Sequence, residues 1–256
     1  MVRDKCSYAV QTVEKALDIL ETLTEEVPDS TLPTLADRLG ISRNKAFRLL
    51  ATLEKRGMVE REELTGSYRL GLNALEMAQR FLDSVLLIKH ARPIMELLAR
   101  KHDEAVYMTV ASGDEVIFLD MVDSIQTVKT APLVGKRFPF FTNASGKAIK
   151  ALESRDMLER LCKKQSRNGR FPNLDQLERE FDTIRCNGVA VDNGGLGEGV
   201  VSVAVAVRDY AGKIVGALTM LGPSFRMLSD RLENEIIPSL QEGAEMLSMK
   251  FGYARM

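Results

Sequence analysis

One stretch of the sequence, LGISRNKAFRLLATLEKRG at positions 39–57, carries side chains whose types could read the bases of DNA. Its apolar residues recur at helical spacing and form one stripe, whereas Asn44 and Arg48 fall on the opposite face. Near the start of this helix, Asn44 is suited to bond adenine, and Arg43 and Lys45 are suited to bond guanine. Arg43, Asn44 and Lys45 are therefore candidates for base contacts.

A second set of side chains suits phosphate oxygens, because hydroxyl and guanidinium groups are common phosphate donors. This set comprises Ser42, Arg48, Thr65, Tyr68 and Arg69. Phe47 allows two interpretations, since it either presses on a thymine methyl group or extends the protein core. The alternative for the whole helix is an ordinary solvated face, on which long basic side chains meet only water.

Local charge favours DNA over water as the partner of this helix. The whole chain has a net charge of -1 at pH 7, which argues against non-specific coating of nucleic acid. Between Arg38 and Arg56, however, six basic residues are accompanied by a single acid, Glu54. The positive charge is thus concentrated on the helix that carries the candidate base contacts.

Searches for catalytic and metal-binding patterns give no candidate. His90 and His102 do not form an HExxH pair, and the sequence has no CxxC or GxSxG motif. The segment NGGLGEG lacks the GK[ST] ending of a phosphate-binding loop, and Phe141 stands where SGKA would need that loop's first glycine. The sequence therefore predicts no catalytic residue, no metal site and no cofactor, so the protein is not expected to be an enzyme.

Length and composition indicate two domains in a cytoplasmic protein. The chain of 256 residues exceeds the ~100–200 residues of a usual domain. It has no apolar run of the ~20 residues that span a membrane, and its start lacks the apolar core of a secretory signal. Cys6, Cys162 and Cys186 are few, odd in number and widely spaced, which fits a reducing compartment.

The first part of the chain has helix, turn and strand signals in the order of a winged helix-turn-helix. Apolar residues at steps of three and four predict a helix over 8–23, which Pro28 ends, and a second helix over 32–39. Gly40 supplies a left-handed turn, and Ser42 is the expected N-cap of the third helix. The segments MVER and SYRL, joined by EELTG, predict a two-stranded wing.

The remainder combines a long helical region with two β-hairpins. Helical spacing runs over 72–102, where Pro93 is expected to kink or restart the helix, and its surplus apolar surface indicates a second copy of the chain. AVYMTVAS pairs with EVIFLDMVD, and GVVSVAVAVRD pairs with KIVGALTML, across predicted turns. Further helices are predicted over 145–153, 175–186 and 229–251. Antiparallel hairpins mixed with helices predict an α+β domain.

Several segments together resemble the IclR family of bacterial transcriptional regulators. In the first part these are LPTLADRLGISRNKAFRLLATLEKRGMVER and GSYRLGLNALEMA; in the second they are GKRFPFFTNASGKAIKA, FDTIRCNGVAVD and GVVSVAVAVRDYAGKIVGALTMLGPSFRM. The resemblance implies a winged helix-turn-helix domain over 1–72 and a linker helix over 73–92. It also implies a GAF-like effector-binding and oligomerisation domain with an antiparallel sheet over 93–256.

The resemblance further implies a ligand site and an assembly. Family effectors lie around the TxASGKA loop and the last strands, which here gives Ala144, Ser145, Gly146, Asp192, Ser202, Thr219 and Leu221. Without the resemblance, Ser145 would be a helix cap, and Ser202 and Thr219 ordinary strand residues. The implied partners are double-stranded operator DNA, a small-molecule effector and further copies of the chain in a homodimer or homotetramer.

Departures from the family pattern shape the expected effector. Many members have Cys in place of Ser202 and a hydroxyl residue in place of Leu221. Unpaired N–H groups at a helix start near Ser145 favour a carboxylate, whereas Asp192 would repel it and accept a hydroxyl or amine. We therefore expect a small organic acid with an aliphatic or aromatic body, rather than a short, densely hydroxylated acid such as glyoxylate.

These features predict an effector-responsive DNA-binding regulator, specifically a repressor of a catabolic operon. The effector would bind one arrangement of the sensor dimer better and so change the spacing of the two DNA-reading heads. The alternative is a metabolic enzyme that acts on a small organic acid and carries a regulatory N-terminal domain. The absence of a catalytic pattern in the sequence argues against that alternative.

Overall fold

The structure is a computed structural model that describes residues 9–25, 29–151 and 174–254. The chain divides into two compact units, Met1–Val85 and Leu86–Met256. Both helices and antiparallel strands are present, so the predicted α+β class is confirmed. Within the described residues, no helix combines the length and apolar character needed to cross a membrane.

The first unit has its elements in the order of a winged helix-turn-helix. They are α1 (Gln11–Thr22), α2 (Leu32–Arg38), α3 (Arg43–Lys55), β1 (Val59–Arg61), β2 (Tyr68–Leu70) and α4 (Leu72–Ser84). The strands β1 and β2 pair antiparallel, with Val59 opposite Leu70, and form the predicted wing. The predicted start of the first helix at Tyr8 and its end signal at Pro28 lie outside the described residues.

The core of the first unit lies where α1, α2, α3 and the hairpin meet. Its buried residues are Ile19, Leu35, Leu49, Leu50, Val59 and Tyr68. Gly40 makes the turn between α2 and α3 with a φ of 60°, a left-handed conformation that glycine adopts without a steric penalty. This tight turn orients α3, so that its apolar stripe faces the core and its basic face points outward.

The second unit is built on a six-stranded antiparallel sheet with the strand order β5-β4-β3-β8-β7-β6. The elements are α5 (Leu86–His102), β3 (Ala105–Ser112), β4 (Glu115–Val122), β5 (Arg137–Pro139), α6 (Ala144–Lys150), α7 (Leu174–Asn187), β6 (Ala190–Asn193), β7 (Val200–Arg208), β8 (Ile214–Pro223), α8 (Ser229–Arg231) and α9 (Ile237–Lys250). The two predicted hairpins are β3–β4 and β7–β8, and pairing of β3 with β8 joins them.

Different helices cover the two faces of this sheet, because side chains alternate between faces along a strand. Met108, Val203 and Met220 belong to the core that α5 and α9 cover. Tyr107 and Leu221 pack on the other side with Ile149 of α6. We call this second side the α6 face.

Two of the helical predictions are wrong in detail. Pro93 does not restart a helix, since α5 continues through it with one backbone hydrogen bond fewer, as proline has no N–H. The break falls instead at Val85, which is extended with φ -81° and ψ 100°. The last predicted helix is interrupted by a π-helical segment, Leu232–Ile236, between α8 and α9. The short strand β5 has no counterpart among the predicted strands.

Candidate DNA-reading helix and effector site

The N-terminal end of α3 presents the predicted base-contacting residues outward. Arg43, Asn44 and Arg48 are exposed, and Lys45 is half-buried. Ser42 precedes the helix in an extended conformation, and its Oγ accepts the Lys45 backbone N–H at 3.3 Å. The predicted cap at Ser42 is thus present, and it leaves the first turn of α3 ordered with its basic side chains in solvent.

Three cations in the N-terminal half of α3 have no salt-bridge partner in the described part of the chain, in contrast to Arg38 and Arg69. Arg38 forms an ion pair with Glu25 at 2.5 Å, and Arg69 forms one with Glu60 at 3.1 Å. Arg43, Lys45 and Arg48 form no salt bridge to any other described residue. Their positive charge therefore remains available to an external anion.

The remaining predicted DNA contacts differ in how exposed their side chains are. Phe47 is 54% exposed, so it does not extend the core and is available to a thymine methyl group. Tyr68 is only 6% exposed and its ring packs in the core of the unit, so its predicted phosphate contact is left to the hydroxyl alone and stays a prediction. Its ring is needed to fill that core beneath the wing. Thr65 and Arg69 are exposed, although Thr65 donates to Glu62 and Arg69 to Glu60.

The predicted effector residues on the sheet lie in two adjacent rows of paired residues. In one row, Ser202 of β7 is opposite both Asp192 of β6 and Leu221 of β8. In the neighbouring row, Thr219 of β8 lies between Ala204 of β7 and Tyr107 of β3. Residues directly opposite each other project to the same side of a sheet, so the rows share the α6 face.

The start of α6 closes over these rows through hydroxyl contacts. Ser145 Oγ and Thr219 Oγ1 are 2.8 Å apart, and the Ala144 backbone N–H donates to Ser202 Oγ at 3.4 Å. Ala144, Ser145, Ser202, Thr219 and Leu221 are each no more than 1% exposed. The structure therefore brings these predicted residues together in the buried interior of the second unit.

Two predictions about the start of α6 need correction. The Asn143 side chain caps the helix by accepting the Gly146 N–H at 2.9 Å, so Asn143 rather than Ser145 is the cap. With the Ala144 N–H bound to Ser202, two of the first three amides are already used, which removes most of the expected anion site. Gly146 has a packing role, because a Cβ there would lie 2.1 Å from the Phe140 carbonyl oxygen.

Asp192 lies at the edge of the same face and is already paired. Its Oδ2 accepts from Lys147 Nζ at 2.8 Å, and its Oδ1 accepts the Gly195 N–H at 2.9 Å. Lys147 also contacts Glu180 of α7 at 3.1 Å. Burial lowers the pKa of the Lys147 ammonium, but the hydrogen bonds and charges of Asp192 and Glu180 outweigh burial, so the pKa is raised.

Sequence reasoning missed Lys147, although it directly follows the three effector positions in TNASGKA. A cation in a loop expected to hold an acid was the signal that could have found it. Lys147, Glu180 and Asp192 line an open groove of about 790 Å³ beside the edge strand β6.

Comparison with known protein families accounts for both units. Residues 12–63 match the IclR helix-turn-helix domain, and residues 79–249 match the C-terminal domain of bacterial IclR transcriptional regulators. The second match alone covers more than half of the chain. The chain belongs to the IclR family. This IclR protein is thus a DNA-binding transcriptional regulator of the helix-turn-helix type.

Similarity to individual proteins extends over nearly the whole IclR chain. The HTH-type transcriptional regulator KdgR of Escherichia coli K12 is 28% identical over 254 residues, which are 98% of this chain and 96% of KdgR. The name of this relative describes a regulator, which favours a regulatory function over the metabolic enzyme that the sequence analysis considered as an alternative. Among the described residues, no cluster of three or more His, Cys, Asp or Glu side chains could hold a metal ion.

Solved structures share the fold of this IclR protein. An IclR transcriptional regulator from Alicyclobacillus acidocaldarius has a TM-score of 0.83 at 24% identity, over 94% of this chain and 99% of that one. An IclR homologue from Microbacterium hydrocarbonoxydans, crystallised with 4-hydroxybenzoate, has a TM-score of 0.80 at 21% identity, over 95% and 100%. At these identities the likeness concerns the fold alone.

Proposed function

We propose that this IclR protein is a repressor of a catabolic operon that binds operator DNA through α3 and responds to a small organic acid. It acts in the bacterial cytoplasm, where operator DNA lies. The observation that carries the proposal is the N-terminal half of α3, where Arg43 and Arg48 are exposed, Lys45 is half-buried and none of the three has an acidic partner among the described residues.

The proposed DNA contacts divide by chemistry. Arg43, Asn44 and Lys45 at the helix start contact base edges in the major groove, as the second helix of a helix-turn-helix does. Arg48 holds a phosphate one turn further along, and Phe47 supplies an apolar contact to a thymine methyl group. Thr65 and Arg69 on the wing add backbone contacts once they exchange their glutamate partners for phosphate. Ser42 caps the helix, and its exposed side chain also contacts a phosphate.

The proposed effector site is the part of the α6 face that includes Ser145, Ser202, Thr219 and Leu221, with Asp192 and Lys147 at its edge. The buried hydroxyls give hydrogen-bonding groups, and Leu221 gives an apolar wall. Lys147 is the cation at this edge, and an acid would pair with it by displacing Asp192 or Glu180, which hold it in the absence of ligand. The related fold that was crystallised with 4-hydroxybenzoate supports an aromatic or aliphatic acid as the ligand class.

The proposed assembly is a homodimer, and two homodimers pair to form a homotetramer. Apolar side chains of α4 are exposed, namely Leu72, Leu75, Met77 and Phe81. Such a helix face is stable in water when a second copy covers it. Two copies would also place two α3 helices at a fixed spacing, as a palindromic operator requires. We assign 1–72 to DNA binding, 73–92 to the linker, which consists of α4 and the start of α5, and 93–256 to effector binding and oligomerisation.

Effector and operator are coupled in this proposal. An acid that binds one spacing of the two DNA-reading heads more tightly shifts the population toward that spacing, and operator DNA shifts effector affinity by the same factor. The effector shifts the population only because its affinity differs between the two spacings. An effector that bound both spacings equally would leave their populations unchanged.

The proposal is tested with the full-length chain and labelled DNA from the regions beside its own gene. We expect sequence-specific binding to one region, and release or tightening when one acid of a metabolite panel is added. An acid recovered unchanged after incubation supports a regulator, whereas its conversion to product supports the enzyme alternative. Binding to every fragment with equal affinity would contradict an operator-specific repressor.

A further inference from the structure

Two buried hydroxyl groups in the second unit make no well-formed hydrogen bond to any described residue. They are the Tyr107 hydroxyl and Thr130 Oγ1. Tyr107 is a completely buried residue of β3. Leaving a buried hydroxyl without a partner destabilises a folded protein, and most buried polar groups in proteins are therefore bonded. Two such groups near each other suggest a role that outweighs their cost to stability.

The Tyr107 side chain lies on the α6 face, next to the proposed effector residues. Tyr107 is directly opposite Thr219 in the β3–β8 pairing, and Thr219 bonds Ser145. Its ring packs edge-on against Phe118 with the ring centres 5.3 Å apart, in a cluster that includes Leu133 and Leu221. The phenol thus lies in mostly apolar surroundings that continue the proposed site.

Thr130 lies in the connection between β4 and β5, and tertiary hydrogen bonds fix this connection. Ser124 Oγ donates to the Asp103 carbonyl at 2.6 Å, and Arg226 Nη1 donates to the Val128 carbonyl at 2.7 Å. Further along, the Gly135 N–H donates to a β4 carbonyl at 2.8 Å. Bonds on both sides of Thr130 hold the backbone of this connection in place, so a loosely placed loop does not explain the missing partner of its hydroxyl.

The Tyr107 phenol keeps its proton at neutral pH and can act as a donor. Burial raises its pKa above the ordinary value of 10.0, and the Leu133 backbone and the Thr130 hydroxyl, which face the phenol outside normal hydrogen-bond geometry, only partly oppose this rise. Thr130 Oγ1 can donate and accept. Together the two groups offer at least one donor and one acceptor at the same place, the pattern that a hydroxyl or carbonyl oxygen of a ligand requires.

We propose that the Tyr107 and Thr130 hydroxyls bind a second oxygen of the effector, so that both residues determine its specificity. The inference rests on the proposed effector site and narrows its ligand class. The effector is a carboxylic acid whose apolar body carries a hydroxyl or oxo group away from the carboxylate. Acids of the same shape that lack this oxygen leave both protein hydroxyls unpaired and bind more weakly.

The test compares acids in matched pairs that differ by this one oxygen. Benzoate with 4-hydroxybenzoate forms an aromatic pair, and hexanoate with 5-oxohexanoate forms an aliphatic pair, within a wider panel of metabolite acids. Calorimetry on the full-length wild type should show that the oxygenated member of a binding pair binds about tenfold tighter or more. Tyr107→Phe should bring the two affinities of that pair close to each other. Thr130→Val should give a smaller reduction of the preference.

Two controls make the test decisive. Tyr210→Phe removes the same atom from a tyrosine that is 81% exposed, and it should leave the preference at the wild-type value. Thermal unfolding without ligand should show Tyr107→Phe as stable as the wild type or more stable, because the removed hydroxyl has no partner. A clear loss of stability would reveal a structural partner of the hydroxyl and overturn the inference.

The outcomes separate this inference from the proposed function. If acids bind but the members of each pair bind equally, or if Tyr107→Phe keeps the preference, the role of Tyr107 is contradicted while the effector site stands. If no acid of the panel binds the wild type, the acid effector itself is contradicted, and the inference fails with it.

Discussion

Ser145 Oγ and Thr219 Oγ1 lie 2.8 Å apart, and this contact between two fully buried hydroxyls joins α6 to the central strand β8. The sheet side of the proposed effector site is therefore tied to the helix that covers it. A ligand that enters between them would have to replace this hydrogen bond, so the pair links effector binding to the packing of α6.

Thr219→Val should lower the free energy of unfolding by about 1–3 kcal/mol, because it leaves the Ser145 hydroxyl buried without this partner. The double variant with Ser145→Ala should lose less free energy of unfolding than the two single variants lose in sum, since the two residues share one interaction. Denaturant unfolding measures all three variants. Thr183→Val, at an exposed residue of α7, is the matched control and should change little. Simple additivity would show that the hydroxyls do not interact.

Lys147→Met should destabilise the protein at pH 7 by an amount on the order of 3 kcal/mol, because Asp192 loses its cation while it remains largely buried. The raised pKa of Lys147 sets the pH dependence. From neutral pH up to the ordinary lysine pKa the ion pair stabilises the wild type, and this stabilisation is lost as pH rises through the higher folded-state value. On the alkaline side, the difference between variant and wild type should thus begin to shrink above pH 10.5.

Lys129→Met is the matched control for Lys147→Met. Lys129 pairs with Asp123 at a position where both side chains are more than a third exposed, and exposed ion pairs contribute about 0–1 kcal/mol. Chemical denaturation at several pH values distinguishes the two sites. If both variants lowered the free energy of unfolding equally, the claim that the buried Lys147 ion pair matters more for stability than an exposed pair would be contradicted.

Phe81→Glu should shift the chain toward monomers in sedimentation at micromolar concentration. Phe81 is 63% exposed on α4, and a charge there would be buried without a counterion in the proposed dimer, which costs several kcal/mol. Leu64→Glu changes a leucine of the wing that is 96% exposed and should leave the assembly unchanged. A monomeric wild type would remove the basis for this prediction.

The sequence predicted elements well where local signals were strong. The cap at Ser42, the Gly40 turn and the alternation in both hairpins placed α3, β3, β4, β7 and β8 close to their observed limits. The break at Val85 could not be predicted in this way, since neither glycine nor proline marks it. Pro93 was the stronger signal, yet tertiary packing of α5 carries the helix through it.

Site residues were harder to predict, because their environment depends on contacts between distant segments. Tyr68 has the chemistry of a phosphate contact, but only the packed wing reveals that its ring fills the core. Lys147 meets Asp192 and Glu180 from two other elements, so its pairing could not be read from the loop that contains it. Tyr107 became notable only once its missing partner was known.

Leu221→Ser should shift effector preference toward more polar acids. Leu221 is 1% exposed and lies directly opposite Ser202, so the new hydroxyl would pair with a ligand oxygen that Leu leaves without a partner, a difference of about 1–3 kcal/mol. A calorimetric ranking of acids, from glyoxylate to acids with large apolar bodies, provides the measurement. An unchanged ranking would show that Leu221 does not line the pocket.

The central claim, that the N-terminal half of α3 binds operator DNA, is tested most directly by the salt dependence of operator binding in three variants. Arg48→Ala should weaken binding to all sequences alike and reduce the slope of log affinity against log salt by about 1. Asn44→Ala should cost roughly 1–3 kcal/mol at one base pair of the operator only. Arg80→Ala, an exposed arginine of α4 paired with Glu76, should behave like the wild type. If Arg48→Ala and Asn44→Ala also bound the operator like the wild type, the recognition role of α3 would be contradicted.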